Sequence, residues 1–302
     1  MNQPSFGWGV WIVLYFFLGG VAAGAYFTAA LAEIFGDPRD RSMAKVGYAI
    51  AFPLVLVCAV LLIVDLGRPE RFWELIVQPS AASPIGWGLT FKPTSPIQIG
   101  GYALAGFGFF SLLSLLDVWV EEGRLRFAPL RAFYNTVPRK LYAALGVLFG
   151  FFLAGYTGVL LNTTAQPMWA ETEFIGALFL ISAASTGAAA IALAMALRNR
   201  PETEDAARRL TRMDNIVILL EIVTLVLVLL TGPTMARALF TGPFLLVFLL
   251  FLAFGIVMPL AMQFRATVET GHLSRGLLAF ASLLVLAGGL LMRLMIVMVA
   301  QT

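Results

Sequence analysis

The sequence predicts an all-α integral membrane protein of eight transmembrane helices, and three observations carry that prediction. Of its 302 residues, 60% are hydrophobic and only 12% charged, outside the range of soluble domains. Eight apolar stretches recur along the chain, at 10–31, 46–64, 97–116, 141–161, 174–197, 216–230, 244–262 and 277–299, and crossing a bilayer takes about 20 apolar residues. Lys and Arg, finally, alternate between rich and poor connections. The odd connections hold Arg39, Arg41 and Lys45; Arg124, Arg126, Arg131, Arg139 and Lys140; Arg198, Arg200, Arg208, Arg209 and Arg212; and Arg265 and Arg275. The even ones hold only Arg68, Arg71, Lys92 and Arg237, while Arg293 lies inside the last span. The positive-inside rule therefore places the odd loops in the cytoplasm and both termini on the outer, periplasmic face. A single polytopic domain follows, in the cytoplasmic (inner) membrane of a bacterium or archaeon.

The first span, 10–31, has no charge before Glu33, so it lacks the basic start of a signal peptide and is expected as a retained helix. The second holds Cys58, a small packing residue, and ends at Asp65. Residues 67–96 form the longest loop, with Arg68-Pro69, Pro79, Pro84, Gly86-Trp87-Gly88, Pro93 and Pro96. Aromatic groups with little charge suit such a loop to docking a partner. After the third span, loop 121–140 sets Phe127, Phe133 and Tyr134 among basic residues, the pattern of a lipid-surface segment. Small residues at Gly20 and Gly24, at Gly146 and Gly150 in the fourth span, and from Ser182 to Ala190 in the fifth permit close helix approach. Charges of both signs alternate over Arg198–Arg212, which predicts a helical extension into the cytosol. His272 reads as a solvated residue of the last cytoplasmic loop. No internal repeat stands out, and the eight spans divide naturally into two four-helix bundles.

Composition excludes several chemistries. With one Cys and one His, the chain holds neither an iron–sulfur cluster on four thiolates nor a haem on two histidines, and no structural zinc site. Its formal charge of +3 resides in short loops, where lipid headgroups are the expected partner, so nucleic-acid binding is discarded.

Ionisable groups inside the bilayer cost on the order of 2.5–3.5 kcal/mol each and are functional candidates by default. Glu221 lies nine residues beyond Arg212, roughly 13 Å deep, near the middle of the sixth span. Arg293 and Tyr156 lie outward of centre in the eighth and fourth spans, and Asp65 at the outer end of the second. Arg293 is expected to pair with a carboxylate, Asp65 or Glu221. Glu33, Asp117 and Asp214, near cytoplasmic ends, read as ordinary interfacial carboxylates.

Six segments in order carry a resemblance: Leu18-Gly19-Gly20-Val21-Ala22-Ala23-Gly24-Ala25; Asp65-Leu66-Gly67-Arg68-Pro69 with Arg71-Phe72-Trp73; Ser95-Pro96-Ile97-Gln98-Ile99-Gly100; Gly155-Tyr156-Thr157-Gly158; Ser182-Ala183-Ala184-Ser185-Thr186-Gly187; and Gly288-Gly289-Leu290-Leu291-Met292-Arg293. Each is weak alone. Together, over nearly the whole length, the chain resembles the NrfD-like family, typified by the membrane subunit of polysulfide reductase.

The resemblance implies a quinone-reactive anchor of a respiratory complex, exchanging electrons between menaquinone or ubiquinone and a ferredoxin-like four-cluster iron–sulfur subunit. A catalytic subunit, often with molybdenum bis-pterin, completes such a complex. It implies Tyr156 as quinone-side proton donor, Asp65 and Arg68 as organisers of the outer end, and Glu221 as a deeper proton carrier. Thr157 and Arg293 join the candidate cofactor-binding residues. Family members often set Asn or His in the first span near the quinone; here Trp11-Ile12-Val13-Leu14-Tyr15-Phe16-Phe17 has neither, which leaves Gln98 and Tyr15 as candidates for the headgroup. The segment Ser83-Pro84-Ile85-Gly86-Trp87-Gly88 is expected to contact the iron–sulfur partner. Two alternatives stand beside this reading: a subunit of a larger quinol-oxidising complex with multihaem cytochromes, and a secondary transporter, since intramembrane carboxylates also mark substrate paths.

Overall fold

A computed structural model describes residues 8–36, 40–75, 77–79, 87–89, 92, 94–125, 137–164, 166–198, 203–269 and 274–301. The helices are α1 (Val10–Phe35), α2 (Arg41–Asp65), α3 (Pro96–Glu121), α4 (Val137–Asn162), the short α5 (Pro167–Ala170), α6 (Ile175–Arg198), α7 (Thr203–Thr231), α8 (Pro233–Thr241), α9 (Leu245–Phe251), α10 (Met258–Glu269) and α11 (Arg275–Val299). A π-helix, Leu252–Val257, joins α9 to α10 as one continuous rod. Eight helices among the described residues are long and apolar enough to cross a membrane.

Helix ends follow local chemistry. Proline stands at the first turn of α3, α5 and α8, where its missing N–H costs nothing and its fixed φ fits the helix. Ser274 caps α11, its Oγ accepting from the Leu277 N–H at 3.4 Å. The helices run past the apolar limits read from the sequence: α2 begins at Arg41 because its first turn is held by ion pairs, and α7 begins at Thr203, within the charge-alternating segment. The π turn also has a local cause. Pro259 has no N–H for the Gly255 carbonyl four residues back, and the wider turn re-spaces the ladder there.

Trp8 N–H donates to Gln301 Oε1 at 2.7 Å, so both described ends lie on one face, here called the terminal face. On this face, the loop after α2 contains regular structure. A 3₁₀ helix, Pro69–Leu75, leads into an antiparallel hairpin, β1 (Val77–Pro79) with β2 (Trp87–Leu89), in register Val77 with Leu89. Residues 80–86, the basic segment 126–136 with Phe127, Phe133 and Tyr134, and His272 lie outside the described residues.

α1 is the central helix. It packs on α2, α4, α6 and α11; α2 meets α3, α3 meets α4, and α6 meets α7 and α11. Lipid offers apolar side chains no less than a neighbouring helix does, so such contacts depend on close fit. A Cβ on Gly24 would run into the Ala183 carbonyl, and one on Gly187 into the Gly24 backbone, so α1 and α6 touch backbone to backbone. Gly187→Ala is therefore expected to destabilise the chain by about 1–3 kcal/mol, measurable as a lowered denaturation midpoint in detergent, whereas Gly101→Ala, where a Cβ meets nothing within 4 Å, changes little.

Candidate functional site

The eight candidate residues fall into two clusters on either side of α1, plus an exposed rim. The first cluster lies where α3 begins. Tyr156, on α4, donates its hydroxyl proton to the Pro96 carbonyl, and its ring occupies the space that a Cβ on Gly100 would need. Phe152, one turn deeper on α4, stacks on it at 5.8 Å. Gln98 is buried in the same turn of α3, its Oε1 accepting from the Lys92 N–H at 2.6 Å and so tying the loop to the helix. Tyr15 is buried on α1, and its carbonyl receives Cys58 Sγ at 3.9 Å. Thr157 is buried too, but its hydroxyl turns back onto the Ala154 carbonyl of its own helix at 2.8 Å.

Asp65 and Arg68 are exposed on the rim of the terminal face. Beside them Arg71 pairs with Glu74 at 2.7 Å, a hydrogen bond that pushes the Arg71 guanidinium above its ordinary range.

The second cluster joins α6, α7 and α11. Arg293 is 1% exposed and spends its guanidinium on four acceptors: the Phe16 carbonyl at 3.1 Å, Gly289 at 3.0 Å, Phe179 at 3.3 Å and the Ser182 hydroxyl at 3.2 Å. The Phe179 ring lies 5.4 Å from its charge. Glu221, 3% exposed, interacts with the same Ser182 hydroxyl and with the charge of Arg293. The expected ion pair is not formed among the described residues: the Arg293 guanidinium is held by three carbonyls and the Ser182 hydroxyl, and Asp65 stays at the exposed rim. Gly20 makes room for this guanidinium, since a Cβ there would strike it.

Asp214 corrects the reading of it as an ordinary interfacial carboxylate. It is 5% exposed, with one oxygen accepting from Ser185 Oγ at 2.7 Å and the other from Gln263 Nε2 at 2.8 Å. A cavity of about 20 Å³ beside it, bordered by Thr211, Gln263 and Ser282, has room for one water. Asp214 and Glu221 stand seven residues apart on one face of α7, and Ser185 and Ser182 repeat that spacing in miniature on α6. The signal was present in the sequence: two carboxylates at i and i+7 facing serines at i and i+3.

Glu33 and Asp117 need the same correction. At the face opposite the termini, Arg41 meets Glu33 at 2.7 Å, Asp117 at 3.2 Å and Glu121 at 2.6 Å, while Arg139 meets Glu33 at 2.6 Å and Asp117 at 3.0 Å. Lys45 adds a contact to Glu121 at 2.7 Å, and Tyr48 donates to Glu33 at 2.7 Å. Carboxylates from α1 and α3 and cations from α2 and α4 thus neutralise one another in a buried knot that closes the first four helices. No group of His, Cys, Asp and Glu that could hold a metal exists among the described residues.

The chain matches the model of a family described as "Polysulphide reductase, NrfD" over residues 1–302. It is 27% identical to Protein NrfD of Escherichia coli over 219 residues, 71% of this chain and 68% of that one. It is 30% identical to a chain of the polysulfide reductase of Wolinella succinogenes over 186 residues, 58% of this protein and 54% of that one. A shorter match, 30% over 84 residues, links it to a subunit of the selenate reductase of Mesobacillus selenatarsenatis, covering 28% of this protein and 20% of that one.

Proposed function

The chain belongs to the NrfD polysulphide reductase family, and from that premise we propose that it is the quinone-reactive membrane subunit of a respiratory reductase complex. The terminal face is then the outer one, where an iron–sulfur subunit and a catalytic subunit dock against the hairpin and the 3₁₀ helix. The names of its relatives, a polysulfide reductase chain and a selenate reductase subunit, support assembly with a catalytic partner. Within the chain, the first four and last four spans form the two bundles, and quinone sits in the first.

One observation supports the quinone reading: Tyr156 from α4 and Gln98 from α3 come together at the terminal-face end of α3, with Tyr15 of α1 as the third candidate. Reduction of a quinone takes two protons with two electrons, so its carbonyl oxygens need hydrogen-bond donors when charge develops on them. The residues fit that need. Tyr156 offers a hydroxyl now resting on the Pro96 carbonyl, Gln98 a side-chain amide, and Gly100 the space beside the ring. Tyr156 exchanges the Pro96 carbonyl for the quinone oxygen and donates the proton; Asp65, at the wet rim, returns a proton from water, and the fixed charge of Arg68 organises that end.

The second cluster supplies a proton path through the last four spans. Asp214 collects from the cytoplasmic side through the water-sized cavity, and Ser185 and Ser182 line the step to Glu221. Arg293 fixes the far end of that path and, by binding the Phe16 carbonyl, touches α1 one residue from Tyr15. A change at Tyr15 on quinone binding therefore bears directly on the backbone that holds Arg293.

Quinone binding to the purified chain, followed by fluorescence quenching with a quinone-site inhibitor, tests the first cluster. Tyr156→Phe and Gln98→Leu should each weaken binding about three- to tenfold, the loss of one hydrogen bond, with the fold retained. Saturable binding untouched by either substitution would remove the headgroup from this end of α3.

A further inference from the structure

A lipid-facing groove runs between α3 and α4 beneath the first cluster. Its walls are Ile99, Tyr102 and Ala103 on α3 and Leu148, Phe149 and Phe152 on α4, and it measures about 350 Å³. We propose that this groove seats the polyisoprenoid tail of the quinone, a subsite that rests on the reading of Tyr156 as a headgroup contact.

Direction favours the tail. α3 descends from the terminal face while α4 climbs towards it, so Ile99 and Phe152 lie one turn below the Pro96 and Tyr156 pair, and Tyr102, Phe149 and Leu148 lie deeper still. The track thus starts at a polar end near the outer interface and continues towards the bilayer centre between apolar walls, with the Tyr102 hydroxyl as their one polar group. That is the polarity of an amphiphile with its head at Tyr156. Phe152 is shared between the two parts, since one face of its ring stacks on Tyr156 and its edge borders the groove.

Size and stiffness point the same way. A dry cavity of roughly 150 Å³ takes one benzene, so about two isoprene units fit here. Glycines on α3 pull the aromatic side of α4 inward: the Phe149 ring fills the place of a Cβ on Gly106 as Tyr156 does at Gly100. Phe149 is further braced by Phe110 at 5.5 Å. In lipid no hydrophobic gain separates a tail in the groove from a tail in the bilayer, so preference comes from contact with rigid rings, worth several-fold in affinity. Leu148 and Phe152, 65% and 48% exposed, leave the groove open to the membrane as a lateral route for a long chain.

The test uses the full chain in lipid nanodiscs, with a polyisoprenoid quinone and the same headgroup lacking a tail. Leu148→Trp fills the groove from its lipid-exposed rim and Ala103→Leu from its floor, while Leu219→Trp, on the exposed face of α7, reports any general effect of a new indole. Both groove variants should weaken the tailed quinone about three- to tenfold and leave the tailless one unchanged, with no effect from Leu219→Trp. Equal weakening of both ligands, or no change in the tailed one, overturns the tail subsite and assigns the groove to ordinary lipid. Failure of both quinones to bind the native chain overturns the headgroup reading, and the groove with it.

Discussion

Arg139→Met is expected to destabilise the folded chain by about 3–5 kcal/mol, the cost of removing one partner from a buried charge pair. Arg139 is buried and stands 2.6 Å from Glu33 and 3.0 Å from Asp117. Without it, Glu33, Asp117 and Glu121 share the charges of Arg41 and Lys45 alone, and Asp117, 2% exposed, keeps only Arg41 at 3.2 Å. Arg139→Lys should recover part of the loss, because an ammonium reaches one carboxylate where the guanidinium fork reaches two. The double variant Arg139→Met with Asp117→Asn should be more stable than the sum of its parts, since the carboxylate left unpaired is then gone. The measurement is the denaturation midpoint in detergent. A loss under about 1 kcal/mol would make this knot equivalent to solvent-exposed pairs. Quinone affinity of the folded fraction should not change, because the knot lies at the opposite face from Tyr156.

Much of this fold was legible because a bilayer is a severe solvent: eight apolar runs and the bias of Lys and Arg between loops leave few other architectures. What the sequence concealed was lateral. Periodicity indicates which residues share a helix face, but not which helix that face meets. Glu33, Asp117 and Asp214 therefore read alike, as carboxylates near helix ends, although the first two enter an ion-pair knot and the third accepts from Ser185 and Gln263. Arg293 is likewise expected to pair with a carboxylate, yet packing surrounds its guanidinium with three carbonyls and the Ser182 hydroxyl. Small residues mark sites of close approach, yet Gly20 and Gly100 do something more specific: each makes room for one candidate side chain, Arg293 and Tyr156. The loop after α2 reads only as a docking segment, and its pairing of Val77–Pro79 with Trp87–Leu89 carries no signal in the sequence.

Glu221→Gln is expected to abolish proton translocation while leaving quinone turnover largely intact. The amide keeps the size of the carboxyl and its partnership with Ser182, so the packing of α6, α7 and α11 survives, but it carries no exchangeable acid proton. If protons pass from Asp214 to Glu221 along Ser185 and Ser182, the chain breaks at that step. Asp214→Asn should give the same phenotype by blocking uptake, since Gln263 and Ser185 can still hold an amide there. Ser182→Ala should be milder in transport but lower stability by about 1–3 kcal/mol, because Arg293 loses one acceptor deep in the bundle. The experiment is the proton-to-electron ratio of the whole complex in sealed liposomes, with turnover measured in parallel. If electron transfer and quinone binding depend on the other cluster, around α3, the two readouts should separate. An unchanged ratio in Glu221→Gln would make the Glu221, Ser182 and Arg293 group a structural clamp. A joint collapse of ratio and turnover would mean that the contact between Arg293 and Phe16 makes the two clusters a single unit.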